Sequence, residues 1–149
     1  EIDAQELFRR QPSPHPNLPL YLGCAVDNGY VAEVVFKSYT CTLAEMVDRG
    51  AASDELWRAT VLSQLKDAVE YVHSLGLAHN DISPNNIMFD NDLSSRPILV
   101  DFDSAQPPGI TLGMDDKYGT PGFCVEDMTV SAFENDSYSL RALEGFMRG

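Results

Sequence analysis

Asp81, Asn86 and Asp101 follow one another at intervals of five and fifteen residues. They sit in the runs His79-Asn80-Asp81-Ile82-Ser83-Pro84-Asn85-Asn86-Ile87 and Leu99-Val100-Asp101-Phe102-Asp103. A carboxylate, an amide and a second carboxylate are side chains that can orient a hydroxyl nucleophile and hold a hard cation such as magnesium, which prefers oxygen ligands. Asn, Asp and Pro also favour turns through local hydrogen bonds, so a turn without chemistry is the competing reading of the first run. The apolar triplets Ile87-Met88-Phe89 and Ile98-Leu99-Val100 argue for more than a turn, because they read as short strands that carry the polar groups.

Those strands need a frame. The pattern predicts that Asn86 to Phe89 and Pro97 to Phe102 pair across the Asp90-Asn91-Asp92 turn region, which brings Asn86 and Asp101 to one end of a hairpin. Ahead of them, Ile2, Ala4, Leu7 and Phe8 have the spacing of a short helix over residues 1–10, stopped at Gln11-Pro12-Ser13-Pro14. Leu20 to Val26 and Tyr30 to Phe36 read as strands joined by Asp27-Asn28-Gly29, a strong hairpin turn. Leu43 to Val47 fits a short helix closed by Gly50. A long amphipathic helix is expected from Ser53 or Asp54, either of which can cap it, to Leu75, with Gly76 as its stop. Leu62, Leu65, Val69 and Val72 form its core stripe, widened by Val61 and Ala68. Another helix is expected from about Glu134, with Asp136 as a possible N-cap.

In order and flanks, these runs resemble the catalytic loop and metal-binding triplet of protein kinases, H-R-D-x-x-x-x-N and D-F-G, written here as HNDISPNN and DFD. The wording Gly76-Leu77-Ala78-His79-Asn80-Asp81, Asn85-Asn86-Ile87-Met88, Asp101-Phe102-Asp103-Ser104, Gly119-Thr120-Pro121-Gly122 and Glu134-Asn135-Asp136 is similar to that of small fungal kinase-like proteins. The resemblance implies an α+β, truncated protein-kinase-like fold. Residues 1–36 would be a remnant of the smaller lobe (the end of its C helix and two strands), and residues 37–149 the hinge and a mostly helical larger lobe through the family's F helix.

By the same resemblance Asp81 is the candidate base, and Asn86 and Asp101 are the ligands for Mg2+ and bind ATP. Thr120 helps to place the substrate, His79 supports the loop structurally, and Asp136 holds the loop from beneath. The implied reaction moves the ATP γ-phosphate to a Ser or Thr hydroxyl of a protein or peptide, a transfer that needs mainly positioning and charge neutralisation. Glu1, or with less weight Glu6, matches the C-helix Glu. Thr111 and Tyr118 read as plain loop residues, and antibiotic and choline kinases, which use a similar loop, give a weaker alternative.

Several positions depart from the family pattern. Asn80 stands where an Arg grips a phosphorylated activation loop, which implies an enzyme not switched by that route. Ser83 replaces the Lys that contacts the transferred phosphate, Asp103 replaces Gly, and Glu126 is the nearest match to the Glu of A-P-E. No Gly-rich loop with its Lys occurs in these 149 residues. Weak or absent turnover by this stretch alone is therefore the expectation, and a pseudokinase-type binding module is the alternative.

Composition narrows the partners. A length of 149 residues, 44% hydrophobic and 22% charged, fits one globular domain. The net charge of −13 argues against a nucleic acid or an anionic membrane as partner. Cys24, Cys41 and Cys124 form no metal-ligand or redox spacing and read as reduced thiols. With no signal-like or membrane-spanning run, the expected location is cytoplasmic or nuclear, without secretion. His15, His73 and His79 are too scattered in sequence to suggest a metal site.

Overall fold

The computed structural model describes residues 1–113 and 119–149. Tyr118 lies outside the described residues. The elements run α1 (Ile2–Arg9), β1 (Tyr21–Asp27), β2 (Tyr30–Phe36), β3 (Cys41–Thr42), α2 (Leu43–Asp48), a 3₁₀ turn at Ala51–Ser53, α3 (Glu55–Ser74), β4 (Ile87–Phe89), β5 (Ile98–Leu99) and α4 (Phe133–Arg148).

Local chemistry explains most of the boundaries. Asn28 and Gly29 both take positive φ, 50° and 82°, the backbone that a two-residue hairpin requires, so β1 and β2 pair antiparallel across Asp27-Asn28-Gly29-Tyr30. Thr42 and Glu45 form a reciprocal capping box at the start of α2. Between the two candidate caps of α3 the structure selects Asp54, whose carboxylate accepts from Leu56 N and Trp57 N. Such a cap stabilises a helix by about 1 kcal/mol. Gly76, at φ 82°, ends it in the left-handed region.

The core lies around α3. Val61, Leu65, Ala68, Val69 and Val72 are buried there, while Leu62 is only half-buried. They pack with Leu43 and Met46 of α2, Ile87 and Phe89 of β4, Leu99 of β5, and Leu143 and Met147 of α4. β3, β4 and β5 form one antiparallel sheet in that order, and β1 and β2 form a separate two-stranded sheet. β3 was not legible in the sequence: two residues are too few for a strand pattern, and it exists because Cys41 and Thr42 pair with Phe89 and Met88.

Asn17, buried in the connection after α1, ties these parts together. Its amide donates to Gln64 Oε1 of α3 (2.8 Å) and to Pro97 O (2.7 Å), and its carbonyl accepts from Leu99 N (2.9 Å). α1 is also fixed through Phe8, whose ring meets that of Phe102 edge-on at 4.9 Å. No helix among the described residues is long and apolar enough to cross a membrane.

Candidate active site

The β4–β5 hairpin sets the site. Ile87 pairs with Leu99, and Val100 N donates to Asn86 O at 2.9 Å, so Asn86 and Asp101 emerge at the same end of the hairpin. Asn86 Nδ2 donates to Asp81 O (2.9 Å) and to Asp81 Oδ2 (3.0 Å). This turns the amide nitrogen toward the loop and leaves Oδ1 as the atom that can face a cation. Thr120 Oγ1 donates to the other oxygen of the same carboxylate, Asp81 Oδ1, at 2.7 Å. Each carboxylate oxygen keeps acceptor capacity for one more hydrogen bond.

His79 is fully buried. Its Nε2 lies 3.1 Å from Val100 O, its Nδ1 accepts from Asp81 N at 3.3 Å, and its ring packs on Phe102 at 4.6 Å. The arrangement uses the tautomer with the proton on Nε2 and couples the loop to the segment that carries Asp101.

Beneath the loop, Asp136 Oδ2 accepts from His79 N and Oδ1 from Asn80 N, both at 2.8 Å. The N-cap reading of Asp136 does not hold, because α4 begins at Phe133 with Ala132 as its cap and places Asp136 inside the first turn. His73 Nε2 lies 2.7 Å from Asp136 Oδ2, and the His73 ring stacks on Phe133 at 4.2 Å. Sequence spacing concealed this partner of His73, since 63 residues separate the two.

Asn80 adopts φ 65°, a left-handed conformation that Asn tolerates better than most residues. Its buried amide donates to Ala78 O (3.2 Å), Ser104 O (3.0 Å) and Ser131 Oγ (3.0 Å), and its Oδ1 accepts from Asn135 Nδ2 (3.0 Å). A neutral amide thus joins the loop to the segments on both sides of Thr111. That threonine is exposed and bridges to Val130. Ser83 is buried with no hydrogen-bond partner for its hydroxyl, and Glu126 is exposed.

Asp101, at φ 62°, is exposed, and ligand oxygens of Asp101, Glu1 and Asp103 lie within 4.8 Å of one another. Burial, then the charges of Asp103 and Asp101, push the Glu1 carboxyl above its ordinary range. The sequence pairs Asp101 with Asn86 and matches Glu1 to the C-helix Glu; the fold brings Glu1 into one cluster with Asp101 and Asp103. The set of hard oxygens from Asn86, Asp101 and these neighbours fits Mg2+. Next to them is a cavity of about 360 Å3 between Phe36 of β2 with Lys37, Ser38 and Tyr39 of the β2–β3 linker, and Met88 and Val100 of the hairpin. Its size and mostly apolar wall suit a planar organic ligand.

Gly119 precedes Thr120 at φ 71°, and a Cβ there would lie 2.5 Å from Cys124 Cβ. Only glycine fits that approach. The three cysteines are free, with Cys41 buried, Cys124 half-buried and Cys24 exposed.

Comparison with known proteins matches a family model described as protein kinase domain to residues 4–139. The chain is 33% identical over 109 residues to MAP kinase kinase kinase win1 of Schizosaccharomyces pombe, covering 73% of this chain and 7% of that protein. It is also 33% identical over 121 residues to wall-associated receptor kinase-like 14 of Arabidopsis thaliana, covering 73% of this chain and 16% of that protein. It therefore spans a small part of the length of these curated relatives. Among solved structures, the yeast RNA Pol II CTD kinase CTDK-1 complex superposes with a TM-score of 0.76 at 18% identity, over 97% of this chain and 49% of that one. At that identity the likeness concerns the fold.

Proposed function

This chain belongs to the protein kinase family, and we propose that it carries the catalytic and metal-binding half of a phosphotransferase site that moves the γ-phosphate of ATP to a Ser or Thr hydroxyl of a protein or peptide. In this reading residues 1–36 are the part of the smaller lobe present here, and residues 37–149 are the hinge and the larger lobe through the F helix. The observation that carries the proposal is the chain of hydrogen bonds from Thr120 to Asp81 to Asn86. It holds one carboxylate in a fixed orientation and ties it to Asn86, at the end of the hairpin whose Val100 and Asp101 line the cavity.

Asp81 accepts the hydrogen bond of the incoming hydroxyl and takes its proton as the new O–P bond forms and the bond to ADP breaks. Asn86, through Oδ1, and Asp101 would hold Mg2+, with Glu1 and Asp103 close enough to add to the field. Bound there, the ion neutralises phosphate charge. Phe36, Met88 and Val100 would enclose the base of ATP.

One observation favours a second reading, a kinase-like binding module with little turnover. Ser83 is buried where the family places a Lys, so the loop offers no cation to the transferred phosphate.

Thermal unfolding with ATP and Mg2+ tests the site, since a ligand of the native state raises the transition by mass action. A magnesium-dependent rise that Asp101→Asn abolishes is expected. Mg-dependent phosphorylation lost in Asp81→Ala favours the enzyme, and nucleotide binding without turnover favours the binding module. No response to nucleotide in a folded protein overturns the nucleotide site.

A further inference from the structure

A second cavity, of about 350 Å3, shares Pro19, Lys37 and Tyr39 with the first, but neither Asp101 nor Met88 lines it. Phe8, Leu18 and Ile98 supply apolar walls, and Gln5, Arg9 and Arg96 supply polar ones. Two features distinguish it from a packing gap.

The first is Gln5. It is 1% exposed, in the middle of α1, and its Oε1 has no hydrogen-bond partner. Its Nε2 donates to Glu1 Oε1 at 3.2 Å, which fixes which end of the amide is left over. A buried acceptor without a donor is destabilising, and an apolar residue of similar size in this position would avoid that cost. The acceptor makes sense when a donor reaches it from the cavity that Gln5 lines.

The second is charge. Although the chain has 23 acidic and 10 basic residues, no acidic side chain among the described residues lines this cavity, whereas Arg9, Lys37 and Arg96 do. Lys37 and Arg96 share Asp90, at 2.5 and 2.7 Å, so two of the three cations divide one carboxylate between them. Arg9 is held only loosely, by Glu6 at 3.8 Å. The lining therefore holds three cations and no carboxylate, with Glu6 and Asp90 as their partners outside it.

We propose that this cavity is a second binding site, for a small organic anion with an apolar, ring-sized body and one hydrogen-bond donor directed at Gln5 Oε1. The body packs between Phe8, Leu18 and Ile98, and the anionic group lies toward Arg9 and Arg96. The volume is near the lower end of ligand pockets, which suits a two-ring molecule.

The test is calorimetric titration of the intact protein with 6-hydroxy-2-naphthoate, which carries a two-ring body, a carboxylate and one phenolic donor, and with 2-naphthoate, which lacks the donor. Saturable binding of the hydroxylated probe is expected, with saturating adenosine present as well as without it. Removing the donor, or making Gln5→Leu, should weaken it by about fivefold, the size of one hydrogen bond, and the two losses should not add. Arg9→Gln, at an exposed position that the fold tolerates, should weaken both probes to a similar degree. No saturable binding at millimolar probe, displacement by adenosine, or equal affinity in the wild type and both variants overturns the proposal. None of these readings depends on phosphotransfer, so they stand apart from the fate of the catalytic reading.

Discussion

Thr120 Oγ1 lies 2.7 Å from Asp81 Oδ1, although 39 residues separate them in the chain. The bond holds the carboxylate from the side opposite Asn86, so neither oxygen can rotate without breaking a contact. Thr120→Val is expected to lower kcat by about tenfold, the value of one positioned hydrogen bond, with the KM for ATP unchanged. Thr120→Ser should restore most of the loss. Steady-state kinetics on the three proteins decides it, and an equal kcat in Thr120→Val removes Thr120 from the mechanism.

Asp136 serves three donors at once: His79 N, Asn80 N and His73 Nε2. Asp136→Ala strands all three in a buried place. The expected cost is roughly 3–5 kcal/mol, in the range seen when one partner of a buried pair is removed. Denaturant unfolding of the variant measures this, and a loss below about 1 kcal/mol, typical of an exposed position, would show that the contacts are not formed in solution.

Asn80→Ala removes two N–H donors, shared among three acceptors, and one accepted bond. It also places Ala at φ 65°, where a Cβ is disfavoured. A loss of about 2–4 kcal/mol is expected. Asn80→Arg, the residue most of the family has, should be no better tolerated, because it puts a charge among neutral partners. Both losses are read from unfolding curves at neutral pH.

Asp90 carries the pH prediction. Hydrogen bonds from Lys37 and then Arg96 hold its pKa below 3.8. A carboxyl depressed in the folded state stabilises the protein above its unfolded pKa, and the gain is lost as pH falls through the folded value. Asp90→Asn should therefore lower stability slightly at pH 5 and above and make no difference well below the folded pKa. The pair is largely open to solvent, so the effect should stay under about 1 kcal/mol and shrink with added salt. A larger effect at low pH than at pH 6 reverses the sign and refutes the assignment.

Local rules carried much of the sequence reading. Asn28-Gly29, Asp54, Gly76 and the apolar triplets beside Asn86 and Asp101 each state their role within a few residues, and the structure places them accordingly. The resemblance supplied Thr120 as a site residue. Contacts made at long range were not legible: His73 with Asp136, the carboxylate of Glu1 beside Asp101, and β3. Gln5 was hidden for another reason. A glutamine on a short amphipathic helix reads as solvent-facing, and only the packing of α1 against the rest of the molecule buries it.

The two backbone N–H groups held by Asp136 also set a time order in biosynthesis. They belong to residues 56 and 57 positions earlier in the chain than their acceptor. A ribosome adding about 5–20 residues per second exposes the His79-Asn80 loop several seconds before α4 can reach it. During that interval the loop has its strands, its core helix and its bonds to Val100 and Ser104, but not its Asp136 anchor. Competence of the site is therefore a late event of translation, and a synthesis pause between residues 106 and 133 would lengthen the period in which chaperones and proteases meet a loop that lacks its Asp136 support.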